Sequence, residues 1–518
     1  MSGSVVPRSQ AGPAGDPSHL AGFARGGSLN LVGAICNQLA LFAIVALIAH
    51  QLNSRDVGRY ALCFAILSIL GLLSLCGFRS ALTRFVAMYL ADGDPAKVRG
   101  TVRLGMGLSI AGSAVFGAAL IATAGPLASG VFHDPHLVLG LRLTGLTLPA
   151  ATFSDAALAA TQGWRTQRPF TMIGRIYEPL TRLTLTAVAL ALGFGLPGAF
   201  WALVIGSWTA AGLSSVALAR CLRKVPRSSP ENVLRTIFSY SMVSWASTLA
   251  STGLIWADTL LLGHLSTTEQ VGIYNVATRL VMLAVFVMAP INAAFAPHIA
   301  HHHHVGDVVR LRQTYATATG WVLKLSIPAF VVLVVFPHQL LHLFGKGFTG
   351  AAAVTVILAC GQLVNATTGP CGTVLNMSGR VRLNMVDNAC VLVLNVVLNL
   401  WLIPWIGIVG AAIAWSVSIV SVNVARVIQV RGIAGASPFG VSSAKTFVAG
   451  GAGAVVGVVV HLAIHPLIPQ LVVGVLGVAV AFVVATLALG LSPSDKVVVD
   501  SVRRQLARHR QPVEAASR

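Results

Sequence analysis

The chain has 518 residues, of which 55% are hydrophobic and only 10% charged, with a mean hydropathy of +0.80. Soluble domains carry roughly 25% charged residues, so a soluble enzyme or binding module is excluded and an integral, multi-spanning membrane protein is expected. A net charge of +20 would suggest nucleic acid in a soluble protein. Here most arginines fall in the loops of one side, where they set topology and meet anionic headgroups, so no nucleic-acid partner is expected.

Residues 1–27 are rich in Gly, Ser, Pro and Ala and read as a disordered cytoplasmic tail with no apolar signal-peptide core. About fourteen segments near the ~20-residue spanning length follow. They run over 28–51, 59–83, 100–123, 138–160, 169–193, 197–219, 236–262, 270–296, 312–336, 350–376, 382–404, 408–430, 443–464 and 469–491. Basic residues cluster after the even-numbered spans: Arg84, Lys97, Arg99 and Arg103 after the second, Arg220 to Arg235 after the sixth, Arg503 to Arg510 after the last. The opposite loops hold little beyond Arg55, Arg59 and Lys346. Both termini are therefore expected in the cytoplasm, in a bacterial inner membrane.

The chain also repeats itself. Asp56-Val57-Gly58-Arg59-Tyr60 corresponds to Gln270-Val271-Gly272-Ile273-Tyr274, Gly163 to Gly379, and Gly198-Ala199 to Gly410-Ala411. Residues 28–219 and 236–430 thus read as two six-helix bundles of the same orientation, joined by a cytoplasmic linker at 220–235. The pair 443–491 lies outside the repeat, and a basic cytoplasmic tail occupies 492–518. Repeats related by an axis along the membrane normal build transporters with the site between the halves.

The most unusual span is the fifth. Arg175, Glu178 and Arg182 lie three and four residues apart, on one face of a regular helix, and Pro179 interrupts the ladder. Charge at such depth must face protein or water. The group is either a structural ion pair or a cationic wall for an anionic substrate. Arg182 and Lys324 lie about fourteen residues inside their spans, near the midplane at ~1.5 Å per residue, and Arg279 about nine. With Arg79 and Arg175 they form the candidate pyrophosphate site, since a guanidinium fork binds two phosphate oxygens. The acids Glu178, Asp258, Asp155 and Asp387 are the candidate ion-coupling groups. Asn384, Asn388, Asn395 and Asn399 share one helix face. They are candidates for sugar hydroxyls, or helix–helix glue. His301 to His304 are expected in a solvated loop. The seven scattered cysteines read as small core hydrophobes, without metal or disulfide pattern. No catalytic group, metal or cofactor is expected.

Three runs carry a resemblance: LNSRDVGRYALCFAILSILGLLSLCGFRSALTRFVA, WADTLLLGHLSTTEQVGIYNVATRLVML with NAAFAPHIA, and LIPWIGIVGAAIAW. They resemble the polysaccharide branch of the multidrug, oligosaccharidyl-lipid and polysaccharide exporter superfamily, over about residues 28 to 440. The resemblance implies an all-α membrane fold: two pseudo-symmetric six-helix bundles in a V around a central cavity. The extra helix pair resembles that of the lipid II flippase branch, where it shapes a groove for the lipid tail. The function implied is an alternating-access flippase for a polyprenyl-pyrophosphate-linked oligosaccharide, acting as a monomer. Its partners would be membrane lipids and the polymerase or glycosyltransferases of the same pathway. The alternatives are a multidrug or cation antiporter, which should have an acidic, aromatic site, and a membrane glycan polymerase or ligase, which needs a sizeable outer loop.

Overall fold

The computed structural model describes residues 17–490 apart from Asn232, Ala436, Phe439 and Gly440. The first half contains α1 (Pro17–Gln51), α2 (Ser54–Leu75), α3 (Phe78–Ala91), α4 (Pro95–Pro126), α5 (Leu137–Gly163), a π-helical turn (Phe170–Tyr177), α6 (Glu178–Ala191) and α7 (Gly195–Leu222). The second half contains α8 (Leu234–Leu265), α9 (Thr268–Val285), α10 (Met288–His304), α11 (Val308–Val335), α12 (Pro337–His342), a 3-10 turn (Lys346–Ala351), α13 (Ala352–Thr368), α14 (Cys371–Met377) and α15 (Val381–Ala434). The extra pair is α16 (Val441–Ala463) and α17 (Leu467–Ala488).

Among the described residues, ten helices are long and apolar enough to cross a membrane, and an eleventh if the bent pair α9–α10 is one span. The single stretch of 54 residues in α15 holds two of the expected spans, divided at Ile406 and Gly407, where the backbone leaves helical angles. The fifth span is cut into elements too short to be counted, and α8, with 32 residues, is long enough to cross.

Several expectations change. Residues 17–27 are not a disordered tail but the start of α1; Pro17 sits at its first position, where a missing N–H costs nothing. Residues 1–16 and the tail from 491 lie outside the described residues. The second span is broken at Cys76 and Gly77, both with positive φ, and the eighth bends by 41° between α9 and α10. The break therefore occurs in both copies. His301–His304 form the last turn of α10 rather than a loop, where their rings meet the negative end of the helix dipole. All seven cysteines are free; Cys63, Cys221 and Cys371 are buried, whereas Cys360 and Cys390 are exposed.

The halves share a core at the ends away from the basic loops. One apolar cluster runs there from Ile44, Tyr60 and Phe200 in the first half to Val271, Tyr274 and Phe344 in the second. Nearer the basic loops there are two clusters. Phe78, Phe85 and Val98 pack with Val233 and with Ile237 of α8, whereas Ile299, Leu311 and Tyr315 form a cluster within the second half. The start of α8 is therefore packed on the first half.

The outer seam is made by repeat-related glycines. A Cβ on Gly58 would overlap the Thr268 carbonyl, and one on Gly272 would overlap the Ser54 carbonyl. The backbones of α2 and α9 meet with no side chain between them. Gly272→Ala should weaken this seam by about 1–3 kcal/mol, the usual cost of overpacking, and lower the melting temperature in detergent. Gly107→Ala, where a Cβ meets nothing within 4 Å, is the control and should melt as wild type or slightly higher.

Candidate functional site

Two chambers lie behind the seam, one in each half. The second-half chamber has a volume of about 660 Å³ and the first-half chamber about 450 Å³. The first is lined by Arg79, Asp155, Glu178 and Arg182, with Trp245 and Thr248 of α8 reaching across from the other half. The second is lined by Trp256, Asp258, Tyr274 and Arg279, with Gln38 of α1 reaching across in return.

Arg182 is buried at 3% exposure, and its Nη1 lies 3.4 Å from Glu178 Oε1. An isolated charge at this depth is costly, and the carboxylate one turn away offsets part of that cost. The guanidinium lies over the Phe64 ring, 5.1 Å from its centre. Phe64 meets Trp256 edge-on at 5.7 Å, and Arg279 lies 5.7 Å over Trp256. So one arginine from each half flanks an aromatic pair at the seam, and the two charges are within electrostatic reach of each other. Each Nε is buried without a hydrogen-bond partner.

The expected one-face cluster in the fifth span is not formed. Pro179 has no N–H to give the Arg175 carbonyl, and the helix widens: the Glu178 N–H bonds Ile173 O, five residues back. That extra residue turns Arg175 away from Arg182. Arg175 lies 5.0 Å over Phe170, and Arg79 lies 5.8 Å over the same ring. Arg79 still lines the first chamber; Arg175 does not, and Lys324, on α11, lines neither.

The asparagine row is also redistributed. Asn395 and Asn399 are fully buried and point at Asp258, donating to its Oδ1 at 3.0 and 2.6 Å, while Tyr274 donates to Oδ2 at 2.9 Å. They solvate a carboxylate, so they are not a sugar-facing wall; a buried acid recruits the nearest donors. Asn388 accepts from Arg426 at 2.6 Å. Asp387 accepts from Gln429 at 2.9 Å and has Arg426 4.0 Å away. Of the four, Asn384 alone lines the large chamber, donating to Asn376 at 3.0 Å. Asp155 is exposed into the first chamber. Sequence reasoning missed Tyr60 and Tyr274, although their place in the repeated motif was a usable signal.

Family comparisons agree with this architecture. A model described as "Polysaccharide biosynthesis protein" matches residues 23–303, more than half of the chain, and the MatE model matches residues 244–401. The chain belongs to the polysaccharide biosynthesis protein family. Among curated relatives, the probable flippase AglR of Haloferax volcanii is 25% identical over 271 residues, covering 50% of this chain and 54% of the relative. The probable low-salt glycan biosynthesis flippase Agl15 of the same organism is 27% identical over 185 residues, covering 36% and 39%. The matches thus span about half or less of these relatives' own lengths. Among solved structures, the lipid II flippase MurJ in an inward closed conformation superposes with a TM-score of 0.70 at 12% identity, over 88% of this chain and 98% of the other. A multidrug resistance MATE family transporter in an inward-facing conformation gives 0.63 at 15%, over 79% and 98%. The fold is that of the multidrug, oligosaccharidyl-lipid and polysaccharide exporter superfamily, as the resemblance implied.

Polar contacts secure the seam outside the membrane. Asp134, in the α4–α5 connection, accepts from Arg59 Nε at 2.8 Å and Nη2 at 3.1 Å, and from Thr268 of the other half at 3.0 Å. Arg55 and Glu269 pair across the halves at 3.3 Å. Burial pushes the Asp134 carboxyl up, but the bonds from Arg59 and Thr268 outweigh it and hold it below the ordinary carboxylate range. A depressed carboxyl stabilises the closed seam above its ordinary pKa and loses that effect only as pH falls through the depressed value. The contact therefore persists through mild acidification. Asp134→Asn should release it at neutral pH. Spin labels at His136 and Lys346, one on each half, should then show a longer distance population that is absent from wild type at pH 5.5 and at pH 7.5.

Proposed function

We propose that the protein is an alternating-access flippase that carries a polyprenyl-pyrophosphate-linked oligosaccharide from the cytoplasmic to the outer leaflet of a bacterial inner membrane. The observation that carries this reading is the pair Arg182 and Arg279: one from each half, the first buried and the second half-buried, each with an orphaned guanidinium nitrogen, on either side of Phe64 and Trp256. Charge-assisted bonds to phosphate oxygens would satisfy both. Because the two sit on different halves, an anion held between them draws the halves together, and rocking about the seam would present it to the opposite side. The printed names of the curated relatives, a probable low-salt glycan biosynthesis flippase and a probable flippase, support the substrate class. Arg79 extends the basic surface toward the mouth of the first chamber.

The lipid tail needs an apolar route. Two apolar grooves lie where α16 crosses α11, α13 and α15, and Leu363 and Phe447 line both. This supports the reading of α16 as a wall for the polyprenyl chain. The domain limits at 28–219, 236–430 and 443–491 follow the same division of labour.

Two carboxylates are placed to couple transport to a cation. Glu178 competes with phosphate for Arg182 when ionised and frees it when protonated. Asp258, ringed by Tyr274, Asn395 and Asn399, is a seat for a cation in the second half. By linkage, a proton at Glu178 and an anionic substrate at Arg182 favour each other's binding.

Arg279→Ala should weaken binding of a polyprenyl pyrophosphate by about 10- to 100-fold, as expected for loss of a charge-assisted contact of ~1.5–3 kcal/mol. Wild-type affinity in that variant would remove the anion site. In proteoliposomes, Glu178→Gln should transport without the pH dependence of wild type; superimposed pH profiles at full activity would leave Glu178 as a counter-ion only. Cysteine labelling at His302 and His338 in a cysteine-free background tests the orientation: an impermeant outside reagent should reach His338 and not His302.

A further inference from the structure

The larger chamber is lined by carboxamides. Gln38, Asn275, Asn292, Gln362, Asn365 and Asn384 all face it, from α1, α9, α10, α13 and α15. Its volume of about 660 Å³ sits in the middle of the ~300–1,000 Å³ range of ligand pockets. The smaller chamber has a different chemistry, with two arginines, two acids and small hydroxyl residues. The copies of the repeat have therefore diverged: Asn275 stands where the aligned motif of the first half has Ala61.

These amides are not all structural glue. Asn423 shows what glue looks like here: it accepts from Thr368 at 3.0 Å and donates to Ile419 O at 2.8 Å. By contrast, the Oδ1 atoms of Asn292 and Asn384 are buried without a partner. Asn365 donates to Gln362 Oε1 at 2.8 Å, which leaves the Gln362 amino group and the Asn365 carbonyl open to the chamber. Each carboxamide offers both donors and an acceptor, and so does each sugar hydroxyl. Trp415, 8% exposed, adds an apolar wall against which a pyranose face can lie.

The charges bear on the kind of sugar. The cations lining this chamber are Arg279 at the seam and Arg426 at the far end; Arg426 donates to Asn388 through Nη2, and the Asp387 carboxylate, 4.0 Å from its Nε, offsets its charge. The acid is Asp258, which would repel a second carboxylate. From this we infer that the second-half chamber is the glycan subsite and that it selects an uncharged sugar over a uronic acid. The inference rests on the flippase reading above, because Arg279 lines the same chamber and would hold the pyrophosphate to which the sugar is joined. Hydroxyl–amide pairing gives discrimination because a buried amide left unpaired is costly.

The test uses three soluble probes: citronellyl pyrophosphate, and the same molecule carrying glucose or glucuronic acid. These two sugars differ at one carbon, a hydroxymethyl against a carboxylate. Dissociation constants are measured by calorimetry on the full chain in nanodiscs. Wild type should bind the glucosyl probe about 10-fold tighter than the bare pyrophosphate, the worth of one or two net hydrogen bonds, and the glucuronyl probe no tighter than the bare one. Asn275→Leu with Asn292→Leu, and separately Gln38→Leu, should lose the glucose increment and keep the affinity for bare pyrophosphate. Should either variant fail to fold, the three-probe comparison on wild type still decides. A bare probe held through Arg279 with no glucose increment overturns the glycan subsite alone, as does equal affinity for glucuronyl and glucosyl probes or an increment retained in both variants. No Arg279-dependent binding of any probe overturns the flippase reading and this inference together.

Discussion

Everything in this molecule is arranged about one backbone-to-backbone contact. Gly58 and Gly272 let α2 and α9 meet without side chains, at the point where the two copies of the repeat face each other. Small residues are what allow helices in a membrane to approach so closely, where apolar side chains gain little from leaving lipid for protein. The contact fixes one end of the V. It makes the shared core of Tyr60 and Tyr274, and the two chambers lie behind it, one in each half. Arg59, Asp134 and Thr268 add a polar clasp at the same end. Glycines set the distance, and the clasp adds a bond that can be broken without disturbing the helices.

Behind that seam the repeat has been put to two uses. In the first half Tyr60 lies near Arg182, which is held by Glu178 from its own helix. In the second, Tyr274 bonds Asp258, which is held by Asn395 and Asn399. The two copies thus place a buried cation in one half and donors around a buried anion in the other. A fixed charge in an apolar interior needs a compensating partner, and each copy has found its own. The outcome is a molecule whose halves differ across the seam: both chambers carry charges, and the second adds a lining of amides.

Much of the fold could be read from composition and spacing, because a bilayer permits few solutions. A spanning chain must satisfy its backbone within itself, so length and hydropathy define helices, and basic loops define their order. The repeated Gly-containing motifs marked the two copies, but that Gly58 and Gly272 meet at the seam is visible only in the packing. Side-chain direction was less accessible. Asn384 to Asn399 share a face by spacing alone, yet that face passes from a chamber to the interior as the helix runs inward. Only packing against α8 shows that Asn395 and Asn399 end on Asp258. Lys324 is as deep as Arg182 by counting residues, but depth says nothing about azimuth, and α11 turns it away from both chambers. His301–His304 looked like a loop because four like residues have no helical period; a helix end tolerates them because their last turn is solvated.

The π-helical turn at Phe170–Tyr177 carries one more consequence. From Gly163 to Gly198 the first half is four residues longer than the matching stretch from Gly379 to Gly410. The wide turn takes up part of that surplus, and it acts as a phase shifter. Within it, Arg175 stacks on Phe170 with Arg79; downstream, Arg182 faces the chamber. Removing a single residue from the turn would restore regular winding and rotate one portion against the other by roughly 100°. Either the stacked arginine or the chamber arginine would then face lipid. The azimuth of the first-half cation thus depends on one surplus residue of backbone, and lineages that delete it must find another way to bring charge to the seam.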